Sequence, residues 1–224
     1  MERATIMIMM IVGELINSLF AARVCNAFDI FAGSKAVAEE LVDSVLNPSG
    51  VILRLPVMRV LAIDASLRNT GVAIVDANNG KPRSVYFGTI HNASSMRSSS
   101  CLVAIRDRLV ELIREHEPDC CALESVIYVQ SHKTAILLGA ARGAAILAAA
   151  ENGLPVFEYS PRRIKQSAVG RGAAGKDQVA FMVRALLGLT ETPGADAADA
   201  LAIGLTHLRS QEAVAIGVPG GIQI

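Results

Sequence analysis

The chain has no tryptophan, and aromatic residues make up only 4% of its 224 residues. Alanine and glycine take their place, which points to closely packed helices rather than large apolar pockets. Its formal net charge is zero. A uniformly basic coat is therefore excluded, though a local basic patch is not. The four cysteines, Cys25, Cys101, Cys120 and Cys121, form no CxxC pair. The four histidines, His91, His116, His132 and His207, show no zinc-ligand spacing. Buried, reduced thiols in a cytoplasmic protein are the reading that these cysteines support. No internal repeat and no low-complexity tract is visible. The apolar run "TIMIMMIVG" (5–13) is broken by Glu14 and Asn17 well short of a spanning length, so no membrane role is expected.

What is present is ample apolar material: 52% of residues are hydrophobic, enough for a sizeable core. Residues 1–57 differ in character from the rest. "AVAEELVDSVL" (36–46) reads as a short amphipathic helix and "NPSG" (47–50) as a turn or linker. Small residues near Ala21 and Ala22 would suit a cleaved leader, but the acidic Glu2 spoils the basic start that such leaders need. The pattern sharpens at Met58, which is itself a candidate initiator. The expected organisation is an extension over 1–57, a domain over 58–210 and a tail over 211–224.

Within that domain, "RVLAID" (59–64) reads as a buried strand, "TGVAIVD" (70–76) as a second and "SVYFGTI" (84–90) as a third, with "ANNGKP" as a hairpin turn. Leu102, Ile105, Leu109, Leu112 and Ile113 recur at a helical period, and Pro118 ends that helix. "CCALESV" (120–126) is a fourth strand. An alanine-rich helix over 134–153 is closed by Gly153, and "LPVFEYS" (154–160) is a fifth strand. Helices around 176–188 and 196–209 follow. This order implies an α/β fold: a mixed five-stranded sheet, an antiparallel meander extended by parallel strands, with helices on both faces.

Two acids interrupt the otherwise apolar helix "ADAADALAIG" (195–204). Asp196 and Asp199 lie three residues apart, about 60° from each other around the helix and one turn along it. Asp64 ends the first strand and Glu124 ends the fourth, where mixed and parallel sheets gather functional groups. Each acid also has a purely structural reading. Asp64 could close the turn "ASLRNTG", Glu124 could sit in a surface salt bridge, and Asp196 could cap its helix. Asp199, inside the helix among alanines, has no such reading. Clustered carboxylates stay ionised together only when cations neutralise them, and all-oxygen donors suit Mg²⁺, with Mn²⁺ able to substitute. Two such ions about 4 Å apart would activate water and stabilise a leaving oxygen in phosphodiester cleavage. Nearby, Arg162, Arg163, Lys165, Arg171, Lys176 and Arg184 face one acid, Asp177, over 161–184, a footprint for a polyanion.

The segments "VLAIDASLRNTGVAIV", "ALESVIYVQSHKTAILLGAARGAAILAAAENGLPVFEYSPRRIKQSAVGRGAAGKDQVAFMVRALLGL" and "PGADAADALAIGLTH" together resemble the RuvC-type Holliday-junction resolvases, from Met58 to about His207. The resemblance implies an RNase H-like fold, a homodimer, Mg²⁺-dependent nicking of four-way DNA junctions in recombination and repair, and a RuvAB branch-migration partner. It places the four family carboxylates at Asp64, Glu124, Asp196 and Asp199, and two family lysines at Lys165 and Lys176. Arg162, Arg163 and Arg171 are weaker candidates for backbone contacts. Family members often carry an aromatic residue shortly after the strand-end Glu. This chain departs from that pattern, with Ile127 there and Tyr128 next, either of which could meet junction bases.

Other readings stay open at this stage. An RNase H-like enzyme acting on an RNA–DNA hybrid would use the same acids. "IDASLRNTGVAIVD" resembles the first phosphate loop of actin-like ATPases, but no second glycine-rich loop follows the later strand. A catalytically idle junction binder would not need four acids. In the alanine-rich helix, Gly139, Ala140, Ala141, Gly143, Ala144 and Ala145 permit close approach, either to the sheet or across a twofold axis. Arg142, in its middle, is expected to pair with an acid or to meet a carbonyl.

Overall fold

The computed structural model describes residues 58–78, 81–126, 131–215 and 220–224. The readings made on 1–57, on the tip of the hairpin turn, on Ile127 and on Tyr128 lie outside the described residues. All that is described falls within one compact unit beginning at Leu55.

Six strands form one sheet: β1 (Arg59–Asp64), β2 (Asn69–Asn78), β3 (Lys81–His91), β4 (Cys120–Glu124), β5 (Val156–Tyr159) and β6 (Ile222–Gln223), in the order β3-β2-β1-β4-β5-β6. The first three make the antiparallel meander, and β4 and β5 extend it in parallel. The sixth strand departs from the five-stranded expectation. Two residues of the tail pair antiparallel with the edge of β5, at Phe157↔Gln223 and Glu158↔Ile222. So short a segment, following Pro219, Gly220 and Gly221 in the sequence, carries no period for a sequence reading to detect.

Among the described residues five helices cover the sheet: α1 (Ser98–His116), α2 (His132–Glu151), α3 (Pro161–Val169), α4 (Lys176–Leu187) and α5 (Ala195–Ala215). The central strands are buried on both faces, which is why β1 and β4 read as nearly continuous apolar runs. One core lies under α1 and α2 around Leu61, Ile63, Ile74, Ile105, Leu109 and Leu123. The other lies under α3, α4 and α5 around Val60, Ala62, Val75, Val183, Leu201 and Ile203. Cys120 and Cys121 point into opposite cores, as alternation along a strand requires.

Helix α3 falls on a segment that reads only as polar, yet its ends are signposted. The Ser160 side chain accepts from Arg163 N, Pro161 occupies the first turn, and Gly170 closes the helix at φ 78°. Helix α5 packs closest to the sheet. A Cβ on Gly204 would lie 2.5 Å from Val75 Cγ2 and 3.2 Å from Ala62 Cβ, so glycine there sets how near the helix comes. Helix α2 uses its small residues in two ways. Ala141, Ala145, Ala148 and Ala149 are buried in the core shared with α1, whereas Gly139 and Gly143 have open space where a Cβ would stand.

Candidate active site

Alternation decides where the strand-end acids point. Val60 and Ala62 belong to the core beneath α5, and Leu61 and Ile63 to the opposite one, so Asp64 turns towards α5. The same parity in β4, with Cys120 and Ala122 on one side and Cys121 and Leu123 on the other, turns Glu124 the same way. The two strands are adjacent and parallel, in register to Ile63↔Leu123. The two carboxylates therefore end neighbouring strands on one face.

The first turn of α5 lies over this edge because of one glycine. Gly71 is the register partner of Asp64 across β1 and β2. A Cβ on Gly71 would sit 2.0 Å from the Asp196 carbonyl oxygen, a distance no side chain tolerates. Glycine thus brings the helix backbone into contact with β2 beside Asp64. Asp196 and Asp199, the second and fifth residues of α5, stand over the strand ends.

The electrostatics record this gathering. Asp64 is raised to about 7, first by burial, then by Asp199 and Glu124, with Lys176 opposing and Asp196 adding a smaller push upward. Glu124 is raised by burial and by Asp199, against Lys176 and Lys165. Lys176, the first residue of α4, donates from Nζ to Asp199 Oδ2 at 2.9 Å, and that bond holds its ammonium above the ordinary value. Each of the four acids and both lysines thus acts on at least one other member of the group through its charge. Asp64 and Glu124 also line a cleft of about 280 Å³ with Ala65, Ser125, Leu138, Arg142 and Pro161.

The structural alternatives for two acids find no support in the contacts. Ser66, not Asp64, closes the turn after β1, with its carbonyl accepting from Thr70 Oγ1 at 2.5 Å. Asp196 lies inside α5 rather than at its cap. The basic residues divide. Lys165 acts on Glu124 through its charge. Arg162 and Arg171 are exposed. Arg163 donates to Ser210 Oγ at 2.9 Å and to the Gly220 carbonyl at 2.8 Å, and its guanidinium stands 5.4 Å from the Tyr159 ring centroid. Those contacts tie α3 to α5 and to the tail.

The donor set suits a hard divalent cation: four carboxylates, no thiolate and no imidazole. A carboxyl lifted to about 7 by burial and like charges is a site short of positive charge. Among the described residues no three His, Cys, Asp or Glu side chains stand ready around one point as a metal-holding group. Lys176, paired with Asp199, supplies part of the balancing charge.

Comparison with known proteins identifies the family. The family model for the crossover junction endodeoxyribonuclease RuvC matches residues 60–207. The chain belongs to the RuvC family. A RuvC from Akkermansia muciniphila is 57% identical over 155 residues, covering 69% of this chain and 93% of that protein. One from Saccharophagus degradans is 47% identical over 152 residues, 68% of this chain and 88% of that protein. Among solved structures, Thermus thermophilus RuvC in complex with a Holliday junction substrate superposes with a TM-score of 0.67 at 32% identity, covering 74% of this chain and 99% of that one. The yeast mitochondrial Holliday junction resolvase Ydc2, at 15% identity and a TM-score of 0.55, shares the fold. The RNase H-like architecture implied by the sequence resemblance is the one observed.

The RuvC match contains all four acids and both lysines, and it ends at His207, before β6. Two residues that shape the site carry little sequence signal of their own. Gly71 is one glycine among 18, and only the register with Asp64 gives it meaning. Arg142 is expected to pair with an acid or meet a carbonyl, and it does both: Nη1 donates to the Glu124 carbonyl at 2.6 Å, and Nη2 forms an ion pair with Glu158.

Proposed function

We propose that this chain is a Mg²⁺-dependent endodeoxyribonuclease that resolves four-way (Holliday) DNA junctions by paired, symmetric nicks in recombination and repair. The observation that carries the reading is that Glu124 of β4 and Asp199 and Asp196 of α5 all act on the buried Asp64 of β1 and raise its proton affinity.

Two Mg²⁺ ions, with Mn²⁺ as a substitute, would be held by Asp64, Glu124, Asp196 and Asp199. Bound there, they would lower the pKa of an attacking water and stabilise the departing oxygen. Glu124 and Asp199 orient that water towards phosphorus. One P–O bond forms as another breaks, and no covalent intermediate with the chain is needed. Lys165 and Lys176 hold the scissile phosphate and balance charge as it develops. Arg162 and Arg171 are assigned to the DNA backbone, whereas Arg163 is engaged by Ser210 and Gly220; Ile127 or Tyr128 is set against the junction bases.

A single site cuts one strand, whereas paired nicks call for two sites related by a twofold axis. The outward face of α2 supplies a seam for a homodimer: Ile136, 71% exposed, and Leu147, 52% exposed, flank Gly139 and Gly143 at helical spacing. The nuclease begins near residue 58 and extends past the expected end at 210, since α5 runs on to Ala215 and Ile222–Gln223 completes the sheet; residues 1–57 are assigned to an extension. The place of action is the cytoplasm, and the RuvAB branch-migration complex is the expected partner.

The deciding experiment compares purified protein and Asp64→Asn on a synthetic four-way junction and on an RNA–DNA hybrid, with and without Mg²⁺. Expected are paired nicks in the junction only when Mg²⁺ is present, none in the hybrid, and a variant that binds the junction but does not cut it. Wild-type cutting by Asp64→Asn would refute the assignment, and preferential cutting of the hybrid would replace the substrate.

A further inference from the structure

Glu124 occupies an awkward position. It is the last residue of β4, a strand of five. On one side, the Ser125 amide donates to the Tyr159 carbonyl at 2.8 Å and the Cys121 amide to the Pro155 carbonyl at 2.9 Å. In a parallel strand the two backbone groups of a residue point the same way, and successive residues alternate. The Glu124 carbonyl therefore faces β1, whose pairing with β4 stops one position earlier at Ile63↔Leu123. At the point where the acid must be held still, the sheet ladder has run out.

Arg142 fills that gap from the opposite face of the sheet. It lies eighteen residues on in α2, and its Nη1 reaches the Glu124 carbonyl at 2.6 Å. Its Nη2 is fixed by Glu158, which β5 presents on the α1–α2 side opposite Leu123. Both side chains are largely covered, 12% and 22% exposed. A covered guanidinium on an otherwise small and apolar helix face carries a desolvation cost, so its bonds are worth explaining. The planar fork serves a carbonyl with one arm and an ion pair with the other, and lysine cannot reproduce that. The Glu124 backbone is thus clamped from behind while its side chain projects to the other face, towards Asp64 and Asp199.

We propose that Arg142, locked by Glu158, is a positioning residue that holds Glu124 in register with Asp64 and so sets the affinity of the site for its divalent ions. The inference rests on Glu124 being one of the metal-holding acids. Partners of this outer kind typically matter by about 10- to 100-fold in metal affinity. The role differs from a purely structural one in what it predicts: metal binding weakens while the fold and the grip on DNA stay intact.

The test uses full-length protein carrying Arg142→Met together with Glu158→Gln, which removes both buried charges and strands neither. Mn²⁺ binding is measured by calorimetry on the metal-free protein, and junction binding is measured in the absence of divalent metal. Expected is Mn²⁺ affinity reduced at least about tenfold, a matching rise in the Mg²⁺ needed for half-maximal cutting, and unchanged junction affinity. If that pair does not fold, Arg142→Lys, which keeps a cation beside Glu158 but offers no fork, carries the same expectation. Glu124→Gln is the control. Mn²⁺ affinity near wild type in the clamp variants, with Glu124→Gln weakened, would overturn the positioning role alone. Affinity unchanged in Glu124→Gln as well would overturn the assignment of Glu124 and the clamp with it.

Discussion

Two buried groups drive the stability of the metal-free protein in opposite directions over one pH window. Burial and the neighbouring Asp199 and Glu124 raise Asp64 from 3.8 to about 7. Between those values the folded state keeps a proton that the unfolded chain has lost, so this group's contribution falls as pH rises from about 4 to 7. Burial lowers His207 from 6.5 to about 4; its Nδ1 shares a hydrogen bond with Tyr159 Oη at 2.9 Å, and its Nε2 lies 3.3 Å from Cys120 Sγ. There the unfolded chain holds the extra proton, so the contribution is complete above 6.5 and lost as pH falls towards 4. Asp64→Asn should therefore make the metal-free protein more stable above pH 7, by on the order of 1–3 kcal/mol. His207→Gln should flatten the acid limb. Urea unfolding from pH 4 to 8 reads both, and an unchanged or lower midpoint for Asp64→Asn at pH 8 would contradict the account. Cations need the ionised carboxylate, so metal affinity should climb through pH 7 as well. Asp64, Glu124 and Asp199 are legible in the sequence because carboxylates at strand ends and inside an apolar helix violate local pattern. His207 is not, since a buried neutral imidazole looks like any other.

At the level of elements, the site depends on how closely one helix meets one strand. Helix α5 rests on β2 through Gly71 and, further along, over Val75 through Gly204. Gly71→Ala places a methyl 2.0 Å from the Asp196 carbonyl oxygen, so the first turn of α5 must lift and carry both acids with it. A displacement near 1 Å at a reacting centre costs about 100-fold in rate. Cutting should fall by that order, with the Mg²⁺ requirement raised and junction binding largely kept. A Gly71→Ala enzyme cutting at wild-type rate would show that the close approach is dispensable. Most elements are readable from period and punctuation. The exceptions have physical causes: α3 is obscured by its polar residues despite the Ser160–Pro161 start, and β6 is an edge pair whose hydrogen bonds are supplied by β5.

At the scale of the whole molecule, the proposed paired nicks require two sites related by a twofold axis. Gly143 has nothing within 4 Å of where its Cβ would stand, so a side chain there costs the isolated chain little. Gly143→Glu should leave the fold and the metal site intact while placing a charge in the proposed twofold seam. Sedimentation is expected to shift from dimer to monomer, and junction cuts to become single and uncoupled. A dimer that survives with paired cutting would move the interface to another face. The split in α2, with Ala141, Ala145, Ala148 and Ala149 inward and Gly139 and Gly143 outward, is invisible in the sequence, because both residue types suit close packing equally well.

The chemistry of this protein is written along the chain: which residues are acids and lysines, their order, and the strand-then-acid pattern that sets Asp64 and Glu124 at strand ends. These follow from rules of period, capping and charge, which operate within a few residues. Convergence belongs to the folded domain alone. Whether four carboxylates share a field depends on strand register and on a glycine that lets a helix touch a strand. Those are contacts between residues distant in the chain, fixed by the packing of the entire domain, and no local pattern encodes them.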